Sequence, residues 1–415
     1  MKIPYRIKSH VARLESRARK NEKKLAIDGG TSVRPHYLGW PTWPMISWLD
    51  RYNVMRTLEG GNWWYSARVA RFESEFAQFQ GADFCITCTS GTTGLEVCLE
   101  SFGIKPGDEV IVPAFTFFAT ASAVMRFGAV PVFVDVDDSW CIDPDMIERA
   151  ITSKTRAIIP VHYAGRVADM DRIMKIAHKH DLIVLEDACH AWGSRWNGVG
   201  AGVLGHAGVF SFQMSKNLSA GEGGAIVTND TELATHIRKH TNIGMPPGHR
   251  HYHECVGTNA RITEFQAALL SAQLTRLDEQ TELRMQNAAV LENGIDEIEG
   301  LSYPLGDERI NRRSYHYFCI EITPEEFGCS RDRFLEAANA EGVTILPPYP
   351  EPIYNQPACQ GEGIYRKLDC PQTEALCQQT GCWIPHHVLL ARLQDMQDIL
   401  TIFKKIKNSV NRQVV

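Results

Sequence analysis

Between residues 84 and 228, apolar runs of four to seven residues alternate with helix-length amphipathic stretches, and this alternation limits the fold more than any other property of the chain. Residues 84–87, 109–113, 130–136, 157–161 and 182–186 read as strands. Helices are expected at 90–101, 116–127, 143–151 and 170–180, and further strands at 208–212 and 225–228. Runs that are apolar throughout suit strands covered on both faces. The expected class is therefore α/β, a mostly parallel central sheet flanked by helices, with ligands bound in a crevice at the carboxyl ends of the strands. A helix at 69–79 precedes the sheet, its Phe72, Phe76 and Phe79 on one stripe.

Beyond residue 260 the pattern changes. Helices are expected at 261–279 and from 285 to about 297, then a strand at 317–322, a helix at 331–341, a strand at 343–346, an irregular Pro-rich stretch at 347–360 and a closing helix at 395–407. This divides the chain into a basic arm (1–35), a large domain (36–285) and a smaller C-terminal α+β domain (286–415). The 415 residues are 44% hydrophobic, ample for both cores. The segment from Lys2 to Lys24 carries nine Lys/Arg against two Glu, with Ile3, Ile7, Val11 and Leu14 at helical spacing. It reads as a surface or subunit-contact arm in preference to a membrane-binding helix.

A net charge of −6 argues against general nucleic-acid binding, and no apolar run is long enough to span a bilayer. Twelve scattered cysteines and a start without an apolar signal core lead to the expectation of a reduced, cytoplasmic protein. Cys85 and Cys88 have CxxC spacing without a second pair and read as strand residues. His249, His251 and His253 alternate in what reads as a polar loop, and no metal is expected. Trp63 and Trp64, flanked by Gly60, Gly61 and Asn62, serve either as packing or as a cleft wall.

The chemistry centres on Lys216, which lies between the 208–212 strand and the Gly221–Gly224 turn. Desolvation in a cleft lowers an amine's pKa and makes it a nucleophile or proton carrier. Asp187 ends the 182–186 strand. A lysine paired with a strand-end aspartate is what pyridoxal phosphate (PLP) requires: the amine forms the Schiff base and the carboxylate pairs with the pyridinium nitrogen. The phosphate needs backbone N–H groups at a helix start, which Gly91 and Thr92 offer, with hydroxyls on Ser90, Thr92 and Ser211. One of Phe115, Phe117 and Phe118 would stack on the ring. Singly each feature has a plain reading: a turn cap, a helix N-cap, a hairpin turn. In this order and at strand ends they are far more specific.

The sequence resembles the DegT/DnrJ/StrS sugar aminotransferases, within the fold-type-I PLP enzymes. The likeness runs from about Trp40 to at least Glu279 and more loosely to the C-terminus. It rests on Ser90-Gly91-Thr92, Pro113-Ala114-Phe115-Thr116-Phe117, Glu186-Asp187-Ala188-Cys189-His190, Ser211-Phe212 through Lys216, Gly221-Glu222-Gly223-Gly224 and Gly257-Thr258-Asn259-Ala260-Arg261. The resemblance implies that Lys216 is the Schiff-base lysine, Asp187 the pyridine-nitrogen partner and His190 the neighbour of the cofactor's phenolic oxygen. It puts Phe117 against the ring and Gly91, Thr92 and Ser211 around the phosphate. It further implies a homodimer in which Asn259 reaches the phosphate of the other subunit. Gly61-Asn62-Trp63-Trp64 and Gln213 look most like enzymes of aminocyclitol and aminohydroxybenzoate biosynthesis, which act on free carbocycles. The expected function is a biosynthetic aminotransferase that moves an amino group from L-glutamine or L-glutamate to a keto group of a cyclitol or sugar. The alternatives are an aromatising lyase or dehydratase of the same family acting on an aminoshikimate-type carbocycle, and a non-catalytic regulatory homologue. Dehydratases of the family carry histidine in place of the lysine, so Lys216 argues against that activity.

Overall fold

The computed structural model describes residues 24–249, 251–361 and 363–411. The basic segment, apart from Lys24, lies outside them. The strands in chain order are β1 (Phe84–Cys88), β2 (Glu109–Pro113), β3 (Val130–Val134), β4 (Thr155–Ile158), β5 (Ile183–Asp187), β6 (Arg195–Trp196), β7 (Val199–Gly200), β8 (Ala207–Ser211), β9 (Gly224–Thr228), β10 (Leu301–Ser302), β11 (Ile310–Arg312), β12 (Tyr317–Ile322), β13 (Arg366–Lys367) and β14 (Gly381–Pro385).

Eight of them form one sheet in the order β1-β9-β8-β5-β4-β2-β3-β13. Every neighbour pair is parallel except those of β9, which runs antiparallel to β1 and to β8. β2 and β8 are buried along their whole length, because helices cover both faces of the sheet. Side chains alternate between two cores. Phe72, Phe76, Phe210 and Phe212 pack in one, and Leu95, Leu99, Val112 and Ile226 in the other. Cys85 falls in the first core and Cys88 in the second, as an odd spacing along a strand requires. The two thiols therefore face away from each other, and all the cysteines are free.

β2 and the Met170–His180 helix lie where the sequence puts them. Other bounds differ for local reasons. β4 ends before Pro160, which has no N–H for the ladder. β3 stops at Val134, because the next residue, Asp135, turns its carboxylate onto the N–H groups of Gln372 (2.9 Å) and Thr373 (2.8 Å). The helix after β2 begins only at Ala119. The two helices expected around residues 261–297 are a single 32-residue helix, Glu264–Ile295. Thr281, Arg284 and Asn287 are buried on it, and these polar residues interrupt the apolar stripe that would have revealed its continuity.

The C-terminal region is a three-stranded antiparallel sheet, β10-β12-β14, packed by the helices Arg331–Glu341 and Leu393–Val410. Residues 343–346 supply only an isolated bridge, Leu346 to Trp383. The core here contains Ile320, Ile384, Phe334 and Phe403, and Leu25 joins it. Arg34, 4% exposed, holds Asp395 at 2.7 Å, which ties the segment around Arg34 to this region. Among the described residues, no helix is long and apolar enough to cross a membrane.

Candidate active site

The carboxyl ends of β1, β5 and β8 and the start of β9 meet on one edge of the sheet. Leaving β1, the chain enters the Gly91–Ser101 helix. Ser90 caps it, its Oγ accepting from Thr93 N (3.1 Å) and its carbonyl from Gly94 N (3.0 Å). The N–H groups of Gly91 and Thr92 precede those bonds and point out of the helix start, where an anion is favoured. A Cβ on Gly91 would lie 2.8 Å from Cys189 Sγ and 3.0 Å from Ser211 Cβ, so only glycine leaves this cradle open.

Asp187 closes β5 and is 6% exposed. Its Oδ2 accepts from Thr120 Oγ1 (2.8 Å) and its Oδ1 from Cys189 N (3.2 Å). These donors fix the orientation of the carboxylate. Lys216 lies on a tight turn between β8 and β9, with its N–H bonded to Gln213 O (2.9 Å) and with Gln213 Oε1 accepting from Ser215 N (2.8 Å) and Oγ (2.7 Å). Burial holds the Lys216 amine below the usual lysine value, while the nearby Cys189 and Asp187 pull the other way. Burial, reinforced by Lys216, pushes the His190 imidazole well below its usual range, so the ring is neutral. Its Nδ1 accepts from Ala164 N (3.3 Å), which leaves the hydrogen on Nε2 as a donor.

Gly91, Thr92, Phe117, Asp187, His190, Ser211 and Lys216 all line one cavity of about 560 Å³. Asn259 does not; it is exposed and bridges Asn242. The three candidate phenylalanines separate clearly. Phe117 is 62% exposed and lines the cavity, Phe115 is buried against Trp140, Tyr163 and Tyr349, and Phe118 packs on the core.

Sequence reasoning missed four contributors. Thr120 orients Asp187, and Tyr317, Tyr349 and Trp383 form an aromatic wall opposite the sheet. Tyr317 and Trp383 stack at 4.1 Å with their planes 5° apart, and Tyr349 meets Trp383 edge-on at 5.7 Å. No spacing in the sequence connects these residues; the pairing of β12 with β14 brings Tyr317 and Trp383 together, and Tyr349 packs on Trp383 from its own loop. Trp63 and Trp64 lie elsewhere. Trp64 walls a second cavity of about 780 Å³, in which Arg238, Glu73 and Tyr65 satisfy one another (Arg238 to Glu73 3.0 Å, Tyr65 to Glu73 2.9 Å). Among the described residues, no group of three or more His, Cys, Asp or Glu side chains could hold a metal.

The arrangement fits PLP: two outward N–H groups and the Thr92 hydroxyl for a phosphate, a buried carboxylate for a pyridinium, an exposed ring to stack, and an amine of lowered basicity.

Comparisons with known proteins agree. A family model described as the DegT/DnrJ/EryC1/StrS aminotransferase family matches residues 47–404. The chain is 38% identical over 365 residues to the 3-amino-5-hydroxybenzoate synthase of Amycolatopsis mediterranei (strain S699), covering 85% of this chain and 93% of that protein. It is 37% identical over 418 residues to the L-glutamine:2-deoxy-scyllo-inosose aminotransferase of Streptomyces fradiae, covering 92% and 97%. The crystal structure of 3-amino-5-hydroxybenzoic acid synthase matches with a TM-score of 0.83 at 35% identity, over 90% of this chain and 99% of that one.

Proposed function

The chain belongs to the DegT/DnrJ/EryC1/StrS aminotransferase family and is a PLP-dependent aminotransferase, and from that premise we propose that it moves the amino group of L-glutamine or L-glutamate onto a ring ketone of a cyclitol or sugar. The reading rests on one observation: Lys216, Asp187, His190 and the Gly91–Thr92 helix start share a single cavity.

PLP supplies a carbonyl that takes up an amino group and a protonated ring that draws in the electron pair released at the neighbouring carbon. The chain's residues do the rest. Gly91 N–H, Thr92 N–H and the Thr92 hydroxyl would hold the phosphate. Asp187, oriented by the Thr120 and Cys189 donors, would pair with the ring nitrogen and keep a proton on it. His190, with its hydrogen on Nε2, would offer a donor to the ring oxygen. Lys216 Nζ, lowered in basicity by burial, would carry the proton that leaves the donor's α-carbon. The first half-reaction releases a 2-oxo acid and the second consumes the ketone, so one ketone becomes one amine.

The acceptor end carries the aromatic wall, Gln213 and Glu222. Among the described residues, Lys216 is the only Lys or Arg that lines the cavity. A stacked aromatic pair with hydrogen-bonding neighbours suits an uncharged polyol ring better than a diphosphate, which would need cations. Asn259, exposed outside its own cavity, suits a homodimer in which each subunit completes the other's phosphate site.

The test is transfer of ¹⁵N from α-¹⁵N-glutamine to 2-deoxy-scyllo-inosose and to a nucleotide-linked keto sugar, followed by mass spectrometry. Labelled aminocyclitol equal in amount to the 2-oxo acid supports the proposal. The 3-amino-5-hydroxybenzoate synthase relative favours a second reading, aromatisation of a carbocycle. An ultraviolet-absorbing aromatic product from an aminoshikimate-type ring, with no ¹⁵N transfer to any ketone, would replace the proposal with that reading.

A further inference from the structure

The turn that carries Lys216 is gripped from outside by three aromatic N–H donors. Trp43 Nε1 donates to Met214 O (3.1 Å), His386 Nε2 meets Ser215 O (3.0 Å), and His316 Nδ1 meets Asn217 Oδ1 (3.0 Å). Asn217 in turn donates to Ser314 O (2.9 Å). These donors come from the Trp-rich opening, from the residue after β14 and from the residue before β12. The Ser215 carbonyl before the lysine and the Asn217 side chain after it are therefore both tied to the C-terminal region.

Behind His386 lies Arg284, from the Glu264–Ile295 helix. It is 0% exposed and forms no ion pair among the described residues. Its Nη2 lies 3.2 Å from His386 Nδ1 and its Nε 3.4 Å from His386 O, while Nη1 has no partner among the described residues. Its guanidinium sits 5.8 Å over the Trp43 ring. A guanidinium only donates, so His386 Nδ1 must accept and the hydrogen must sit on Nε2. Without Arg284 the other tautomer becomes available, and it would turn a bare nitrogen toward the Ser215 carbonyl.

We propose that Arg284 and His386 are positioning residues for the reacting amine: Arg284 fixes the hydrogen of His386 on Nε2, and that N–H holds the carbonyl one residue before Lys216. The proposal rests on Lys216 being the reacting lysine. An unneutralised buried arginine is a costly arrangement, and the bracket accounts for it as the group that holds the lysine's turn in place. The groups facing Lys216 and this bracket are Asp187 and Cys189 from the end of β5, His190, His316, His386, His387 and Arg284. Burial, with Arg284 beside it, keeps His386 neutral.

The experiment uses the full chain freed of cofactor. The rate of acetylation of Lys216 is followed against pH by peptide mass spectrometry in wild type, H386F, H386Q and R284M, and kcat and KM are measured on the reloaded enzyme. Loss of the bracket lets the turn shift and carries Lys216 out of its position, so in H386F and R284M the labelling midpoint moves up toward that of surface lysines, and kcat falls by about tenfold while KM for glutamine stays within about twofold. H386Q, which keeps an amide donor at the Nε2 position, retains the wild-type midpoint. A depressed wild-type midpoint that H386F and R284M leave unchanged overturns the proposal alone. A wild-type Lys216 that labels like a surface lysine overturns the reading of the site and this proposal with it. ¹⁵N-imidazole spectra of the wild type test the tautomer without any variant, and an Nδ1–H form of His386 overturns the proposal.

Discussion

Gly224→Ala should separate cofactor binding from folding. Gly224 opens β9, paired with Cys88 on one side and Ser211 on the other. Its backbone would accept alanine, but the added Cβ would lie 2.5 Å from Ser90 C, 2.6 Å from Ser90 O and 2.8 Å from Gly91 N. These are backbone atoms at the capped start of the Gly91–Ser101 helix and cannot rotate away. Reaching ordinary contact moves that helix start by close to 1 Å in a close-packed interior. Overpacking of this kind costs about 1–3 kcal/mol, which for a chain of this length lowers Tm by about 1–4 °C. The same shift draws the Gly91 and Thr92 N–H groups off the phosphate. Two weakened charge-assisted bonds at about 1 kcal/mol each raise the Kd for PLP by roughly tenfold to thirtyfold.

Gly221→Ala is the control. Its φ of +83° strains alanine, yet a Cβ there meets nothing within 4 Å. It loses about 1–2 kcal/mol of stability through the backbone alone and should bind PLP as the wild type does. Fluorescence titration of PLP onto cofactor-free protein, alongside thermal melts, decides the matter. A Gly224→Ala protein with wild-type affinity, or a Gly221→Ala protein that loses as much, would refute the reasoning.

Lys216→Ala should fold normally and show no ¹⁵N transfer, because no other side chain of the cavity offers an amine. Asp187→Asn should keep PLP bound but lower kcat by at least about a hundredfold, measured under saturating cofactor, as the ring nitrogen loses its anionic partner. Trp383→Ala should raise KM for the acceptor by roughly tenfold, with little change in the donor half-reaction, in step with a lost stacking contact of about 1–1.5 kcal/mol. Since the folded-state value of Lys216 is lowered from 10.5, the unfolded chain binds more protons in the window between the two values. Stability from this residue therefore rises as pH climbs toward 10.5 and is lost as pH falls through the window, and Lys216→Met should flatten that slope in melts run across it.

The parts of this molecule that were legible in the sequence are those set by short-range pattern. β2 and the Met170–His180 helix lie where the alternation of apolar runs and helical stretches puts them, and Lys216, Asp187 and the Gly91–Thr92 turn, read as strand-end residues, do line one cavity. Choosing Phe117 over Phe115 took the resemblance, because both follow the same strand and only packing buries one. Tyr317, Tyr349 and Trp383 were not legible, since they enter the site through contacts between distant segments. The long helix was misjudged at Thr281 and Arg284, where polar side chains face inward. One of these, Arg284, is the arginine assigned here to the Lys216 bracket.

The place of β9 bears on how the protein is made. β1 lies at the edge of the large sheet, and β9 is its one neighbour there, with Phe84 opposite Thr228 and Cys88 opposite Gly224. A ribosome must therefore release the chain beyond residue 228 before the turn after β1, the one proposed to hold the phosphate, gains its support. Until then the nascent polypeptide carries an unpaired apolar strand, the kind of edge that recruits other chains. The coenzyme can engage only late in synthesis. A supply of PLP should therefore raise the yield of protein by trapping finished chains, without sparing those still being translated.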